Sequence, residues 1–121
     1  MPAEQTRDVM DNYFKALGTG DFSRFFTQDV TWTTMETGAQ VRGPRAVQDA
    51  VSGLHASMSD FETRPLVVSD DFACIEGSCL PKFGAPGRIS YCVTYDLRGD
   101  LVTSMRAYGS LAAMMPILAT E

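Results

Sequence analysis

The sequence changes its hydrophobic period once, near residue 60, and that change limits the folds open to it. Before this point apolar residues recur at helical spacing, interrupted by one alternating stretch. From Phe61 to Gly109 a period of two takes over, giving four strands in a row with turns between them and no room for a helix. Helices at one end of a chain and strands at the other predict an α+β fold, with helices packed on one face of a mostly antiparallel sheet. A chain of 121 residues makes one domain, residues 1–121, and buries roughly two-thirds of its unfolded surface. In so short a chain such a curved sheet curls around a single apolar pocket, where chemistry would sit.

Val9, Met10, Tyr13, Phe14 and Leu17 form one stripe of a first helix, which Gly18 and Gly20 stop. Asp21 then caps a short helix whose Phe22, Phe25 and Phe26 must be buried. Residues 29–36 alternate as a strand, with Val30, Trp32, Thr34 and Glu36 on one face. Gly43-Pro44 opens a second helix, since proline at the first helical position forfeits no hydrogen bond. Its apolar stripe is Val47, Val51, Leu54 and Met58.

Strands are predicted over 61–69, 72–80, 88–97 and 101–108, with turns at Asp70-Asp71, Gly84 to Gly87, and Arg98 to Asp100. The third of these has the clearest alternation. Ile89, Tyr91, Val93, Tyr95 and Leu97 point one way, and Arg88, Ser90, Cys92, Thr94 and Asp96 the other. In the last, Leu101, Met105 and Ala107 oppose Ser104, Arg106 and Tyr108. Residues 111–121 begin apolar but without a usable period, which suits either a cover for the pocket or a contact between subunits.

The net charge is −5 with no basic cluster, so nucleic acid is not an expected partner. No apolar run approaches the ~20 residues of a membrane span. The opening Met1-Pro2-Ala3-Glu4 does not read as a signal peptide, so the expectation is a cytoplasmic protein with no membrane partner. Cys74, Cys79 and Cys92 are odd in number and lack Cys-x-x-Cys spacing. They read as buried thiols of a reducing compartment rather than a disulfide framework or a zinc site.

The order of helix, Gly-Asp pivot, aromatic strand, Gly-led helix and terminal sheet resembles the cone-shaped nuclear-transport-factor-2-like fold. Four stretches carry the likeness: Tyr13 through Gly20-Asp21; Trp32 to Met35; Gly43 to Val47 with Gly53-Leu54 and Met58-Ser59; and Met105 to Tyr108. Within that fold the chain is most similar to limonene epoxide hydrolase and the SnoaL-type polyketide cyclases, and more distantly to ketosteroid isomerase. The resemblance implies cofactor-free acid–base chemistry on a hydrophobic terpenoid- or polyketide-like substrate: epoxide opening, cyclisation or isomerisation. The alternative is a ligand-binding or assembly protein of the same fold that has lost its catalytic carboxylates. A homodimer joined through its sheet is also expected, and no metal or organic cofactor is needed, because side chains alone can transfer protons.

Carried over from the epoxide hydrolases, the acid aspartate falls on Glu76 and the bridging arginine on Cys74. The base aspartate falls on Ala107, and the pair that holds the water falls on Trp32 and Thr34. From the isomerase, the oxyanion tyrosine falls on Tyr13, the proton-shuttling aspartate on Thr34, and the second oxyanion donor near Val93. Glu76 is therefore either a pocket acid of raised pKa or a carboxylate on a solvated outer face. His55, the only histidine, lies at the edge of the second helix's stripe. It either replaces the missing base or faces solvent near the helix end. Tyr13 either donates to a substrate oxygen or is a core tyrosine with a backbone partner. Trp32, Tyr91, Tyr95, Val93 and Met105 are the expected pocket walls. Glu36 is a candidate at the pocket mouth, Arg106 a salt-bridging residue of the outer face, and Cys74 a thiol with no adjacent base.

Overall fold

The computed structural model describes residues 2–82 and 87–109. Helix α1 (Ala3–Ala16) is followed by a 3₁₀ turn (Ser23–Phe25) and strands β1 (Phe26–Thr34) and β2 (Ala39–Arg42). Helix α2 (Pro44–Ala56) leads to β3 (Met58–Thr63), β4 (Val67–Ser69), β5 (Phe72–Pro81), β6 (Ile89–Arg98) and β7 (Leu101–Gly109). The strands form one open, curved sheet in the order β2-β1-β7-β6-β5-β3, with β4 paired to β5. Among the described residues only β1 and β7 run parallel, so the sheet is mixed. Helix α1 packs over β4 and β5, and α2 over β1, β2 and β3. This is the expected α+β cone. No helix among the described residues is long and apolar enough to cross a membrane.

Most elements follow from the patterns in the sequence. Met10 and Tyr13 of α1 are buried, with Val9, Phe14 and Leu17 packed beside them. Pro44 takes the first position of α2 after Gly43, whose φ of 95° is one that side-chain-bearing residues avoid. Val30, Trp32 and Thr34 share the buried face of β1.

Four expectations need correction. The short aromatic helix is a single 3₁₀ turn, and Phe26 already belongs to β1. The N-cap of this turn is Phe22, with no side-chain cap, rather than Asp21, which lies one residue earlier and accepts hydrogen bonds from the Ser23 amide at 3.0 Å and the Ser23 hydroxyl at 2.9 Å. Strand β1 stops at Thr34, so Glu36 lies in the exposed turn to β2, an element the sequence reading did not assign. Met58 belongs to β3, not to the second helix. The strand predicted over 61–69 is two strands broken at Arg64-Pro65-Leu66, where proline cannot donate to the ladder. The turn residues 84–86 and the segment 110–121 lie outside the described residues.

Candidate functional site

A cavity of about 200 Å³ lies between the helices and the inner face of the sheet. Helix α1 contributes Tyr13, Phe14 and Leu17, and α2 contributes Val51, Leu54 and His55. The floor and far wall come from Trp32 of β1, Ile75 of β5, and Tyr91, Val93 and Tyr95 of β6. Strand β3 closes one side with Met58, Phe61 and Thr63. The alternation of β6 decides its contribution, because Tyr91, Val93 and Tyr95 are successive inward positions of one strand. An engineered cavity of about 150 Å³ holds a benzene ring, so this one is sized for a single substituted ring.

Tyr13 is fixed at the inner end. Its ring packs against Phe14, Phe22, Phe25, Phe26 and Tyr95 with centroids 5.6–6.1 Å apart. Its hydroxyl donates to Met105 Sδ at 3.7 Å, and a thioether is a weak acceptor. Burial raises its pKa far above the usual tyrosine value, so the hydroxyl stays protonated and available as a donor. Trp32 Nε1 is satisfied by Thr34 Oγ1 at 3.2 Å.

His55 stands at the mouth, exposed and stacked on Phe61 with centroids 5.4 Å apart and planes at 29°. Phe61 is itself 41% exposed. Loss of solvent around the imidazole lowers its pKa from 6.5, so the ring is neutral at pH 7 and able to accept a proton. Desolvation also raises the pKa of Tyr91 and, more strongly, of Tyr95, each with smaller contributions from neighbouring ionisable groups.

The structure thus brings Tyr13, His55, Trp32, Tyr91 and Val93 to one cavity. Thr34, Met105 and Ala107 share the inner face but are completely or almost completely buried behind it, so they support the wall rather than form it. Glu76 and Cys74, expected in the pocket, are placed on the opposite face. In β5 the inward residues are Ala73, Ile75 and Cys79, and parity sends Cys74, Glu76 and Ser78 outward. The Glu76 side chain is 64% exposed, and its Oε1 lies 3.1 Å from Arg64 Nε. Arg106 pairs with Asp96 on the same outer face. The role of Phe61 was not foreseen, since nothing in the sequence separates a strand residue at a pocket mouth from one on an open edge. Ile75 was legible in the Ala73-x-Ile75-x-Gly77-x-Cys79 alternation. Among the described residues no carboxylate lines the cavity, and no group of three or more His, Cys, Asp or Glu is placed to hold a metal ion.

The family model of the SnoaL-like domain matches residues 10–105. The chain belongs to the SnoaL-like family. No curated protein matches it significantly. Among solved structures, a steroid delta-isomerase from Pseudomonas aeruginosa superposes with a TM-score of 0.80 at 10% identity, over 96% of this chain and 90% of that one. A de novo designed protein with a curved β-sheet gives 0.79 at 16% identity over the whole of both chains. An NTF-2 like protein of unknown function from Burkholderia xenovorans gives 0.71 at 19% identity, over 91% of this chain and 86% of that one. At these identities the likeness establishes the nuclear-transport-factor-2-like fold and nothing finer. A designed protein of the same shape makes the point directly.

Proposed function

We propose that this SnoaL-like protein binds a small, largely hydrophobic, oxygen-bearing ring compound of terpenoid- or polyketide-like character and moves a proton on it, as an isomerase or cyclase. The observation that carries the reading is the pairing, within one apolar cavity, of a protonated phenol and a neutral imidazole. Tyr13 loses only a thioether contact when it turns to a carbonyl oxygen, and a neutral donor aimed at that oxygen stabilises the charge that develops there. His55 at the mouth takes the proton from the adjacent carbon. Neither step needs a metal or an organic cofactor. Epoxide opening by paired carboxylates finds no support, with Glu76 outside the cavity and alanine at position 107.

One observation favours a second reading, binding without turnover: no carboxylate lines the cavity among the described residues. Both readings require a ligand inside it. Val93→Trp fills the cavity from β6 and should abolish the calorimetric signal for a monocyclic terpenoid ketone such as carvone, while circular dichroism shows an intact fold. Unchanged binding in a folded variant places the ligand site elsewhere.

A further inference from the structure

Two of the three cysteines meet on the outer face of the sheet, away from the cavity. Cys74 of β5 and Cys92 of β6 are diagonal neighbours: Cys74 pairs directly with Thr94, and Cys92 with Glu76. Diagonal residues of an antiparallel pair ordinarily stand about 7–8 Å apart. Here the two sulfur atoms lie 3.3 Å from each other, and both residues are half-buried. No other thiol shares the site, because Cys79 points to the inner face and is fully buried beside Met58 Sδ at 3.1 Å.

We propose that Cys74 and Cys92 form a reversible disulfide modification site, closed by a peroxide and reopened by a dithiol reductant. The chemistry balances with hydrogen peroxide as the oxidant. One thiol sulfur takes an oxygen as the O–O bond breaks, giving a sulfenic acid and one water. The second thiol then displaces that hydroxyl, the S–O bond breaks, the S–S bond forms and a second water leaves. Two thiols are oxidised and both peroxide oxygens are reduced.

Geometry makes this step short. The sulfurs must close from 3.3 Å to about 2.05 Å, by side-chain rotation together with a small approach of the two strands. Desolvation, the hydrogen bond with Cys74, and the charges of Cys74 and Glu76 together push the Cys92 thiol up to about 11. A disfavoured thiolate makes Cys92 slow to meet peroxide first; it takes the second role, attacking the adjacent sulfenic acid through its sulfur while its proton leaves with the departing hydroxyl as water. The consequence reaches inward. Ile75 and Val93 follow the two cysteines in sequence, pair with each other across the same strands, and form part of the cavity wall. Closing the bond outside draws together the two strands that carry that wall.

The test is a thiol count on the intact protein. It is treated with hydrogen peroxide, denatured, alkylated with N-ethylmaleimide and weighed by mass spectrometry. The reduced chain should take up three labels. The oxidised chain should take up one, on Cys79, and lose the mass of two hydrogens. Dithiothreitol should restore all three. Cys74→Ser and Cys92→Ser should each abolish the hydrogen loss, whereas Cys79→Ala should leave it intact. Three labels after peroxide, a bond to Cys79, a bond between chains, or sulfinic acid at either cysteine in place of the disulfide would overturn the proposal.

Discussion

Gly77 shows how a single residue shapes the cavity. It sits on the inner face of β5, and a Cβ built there would meet the Glu62 carbonyl oxygen at 2.7 Å and the Tyr91 hydroxyl at 2.9 Å. The neighbour on one side is backbone, which cannot step aside. Gly77→Ala should therefore cost about 1–3 kcal/mol in urea denaturation and push Tyr91 from its place in the wall. A stability equal to wild type would mean that β3 and β5 are spaced more loosely than described. The same strand explains what the sequence did and did not disclose about the site. The period-two pattern of β6 was unambiguous, because aromatic or aliphatic residues alternate with polar ones; in β7 it placed Met105 and Ala107 inward, but the register shift at Asp96–Leu97 changes the phase, so Val102 and not Leu101 is buried at its start. In β5 both faces carry small or weakly polar residues, so the orientation of Glu76 rested on homology to a catalytic aspartate. Ala73, Ile75 and Cys79 outweigh it, because turning Glu76 inward would expose all three and bury an unpaired charge.

Among the elements, the β6–β7 pair is held on its outer face by Asp96, which accepts hydrogen bonds from Ser104 at 2.7 Å and from Arg106. Burial raises the Asp96 pKa, but the bonds from Arg106 and Ser104 outweigh it, and the net shift is downward from 3.8. The contribution of a carboxylate whose pKa is depressed on folding is fully present above the unfolded value. It is lost as pH falls through the folded one. Asp96→Asn should thus lower stability at pH 7 by about 0.5–1 kcal/mol, the range for a pair that remains partly exposed. The gap between variant and wild type should close as the pH is taken below 3.8. A gap that persists in acid would assign the loss to packing instead. Element boundaries were less legible than element types. The β1–β2 hairpin was missed because only Val41 of the four β2 residues is buried, leaving a single apolar position from which no alternation can be read. The 3₁₀ turn was extended into a helix because Phe22, Phe25 and Phe26 happen to fall at helical spacing. Phe26 instead serves β1, pairing with Val102 of β7.

At the scale of the molecule, the outer face of the sheet is broad and partly polar, with Arg106 on it and Tyr108 40% exposed. Such a surface suits an isologous two-fold contact; Cys92 pairs with Tyr108 on this face, so the thiols meet peroxide when the two chains separate. Light scattering at micromolar concentration should give twice the chain mass of 13.2 kDa; a mass of one chain would refute the dimer. The curved sheet over two helices, with an apolar pocket between them, was readable from the order of the patterns, whereas the volume of that pocket was not. Whether the facing aromatic residues fill the space or enclose it depends on how far α1 and α2 stand from the sheet, and no local pattern encodes that separation.

The account rests on proton transfer by His55 inside this cavity, and hydrogen exchange tests it without knowledge of the natural product. Carvone in deuterated buffer exchanges its α-hydrogens when a base removes them, and nuclear magnetic resonance follows the loss of the proton signal. The wild-type protein should catalyse the exchange, and His55→Ala should slow it by roughly 10²–10⁴-fold, the usual contribution of a general base. Because desolvation lowers the imidazole pKa, the base form persists further on acidification, so the wild-type rate should fall at a lower pH than the 6.5 of an unperturbed imidazole. Exchange that is equally fast in a folded His55→Ala variant, or wild-type protein that binds carvone without accelerating exchange, would contradict the catalytic reading and leave the protein a binder of small apolar molecules.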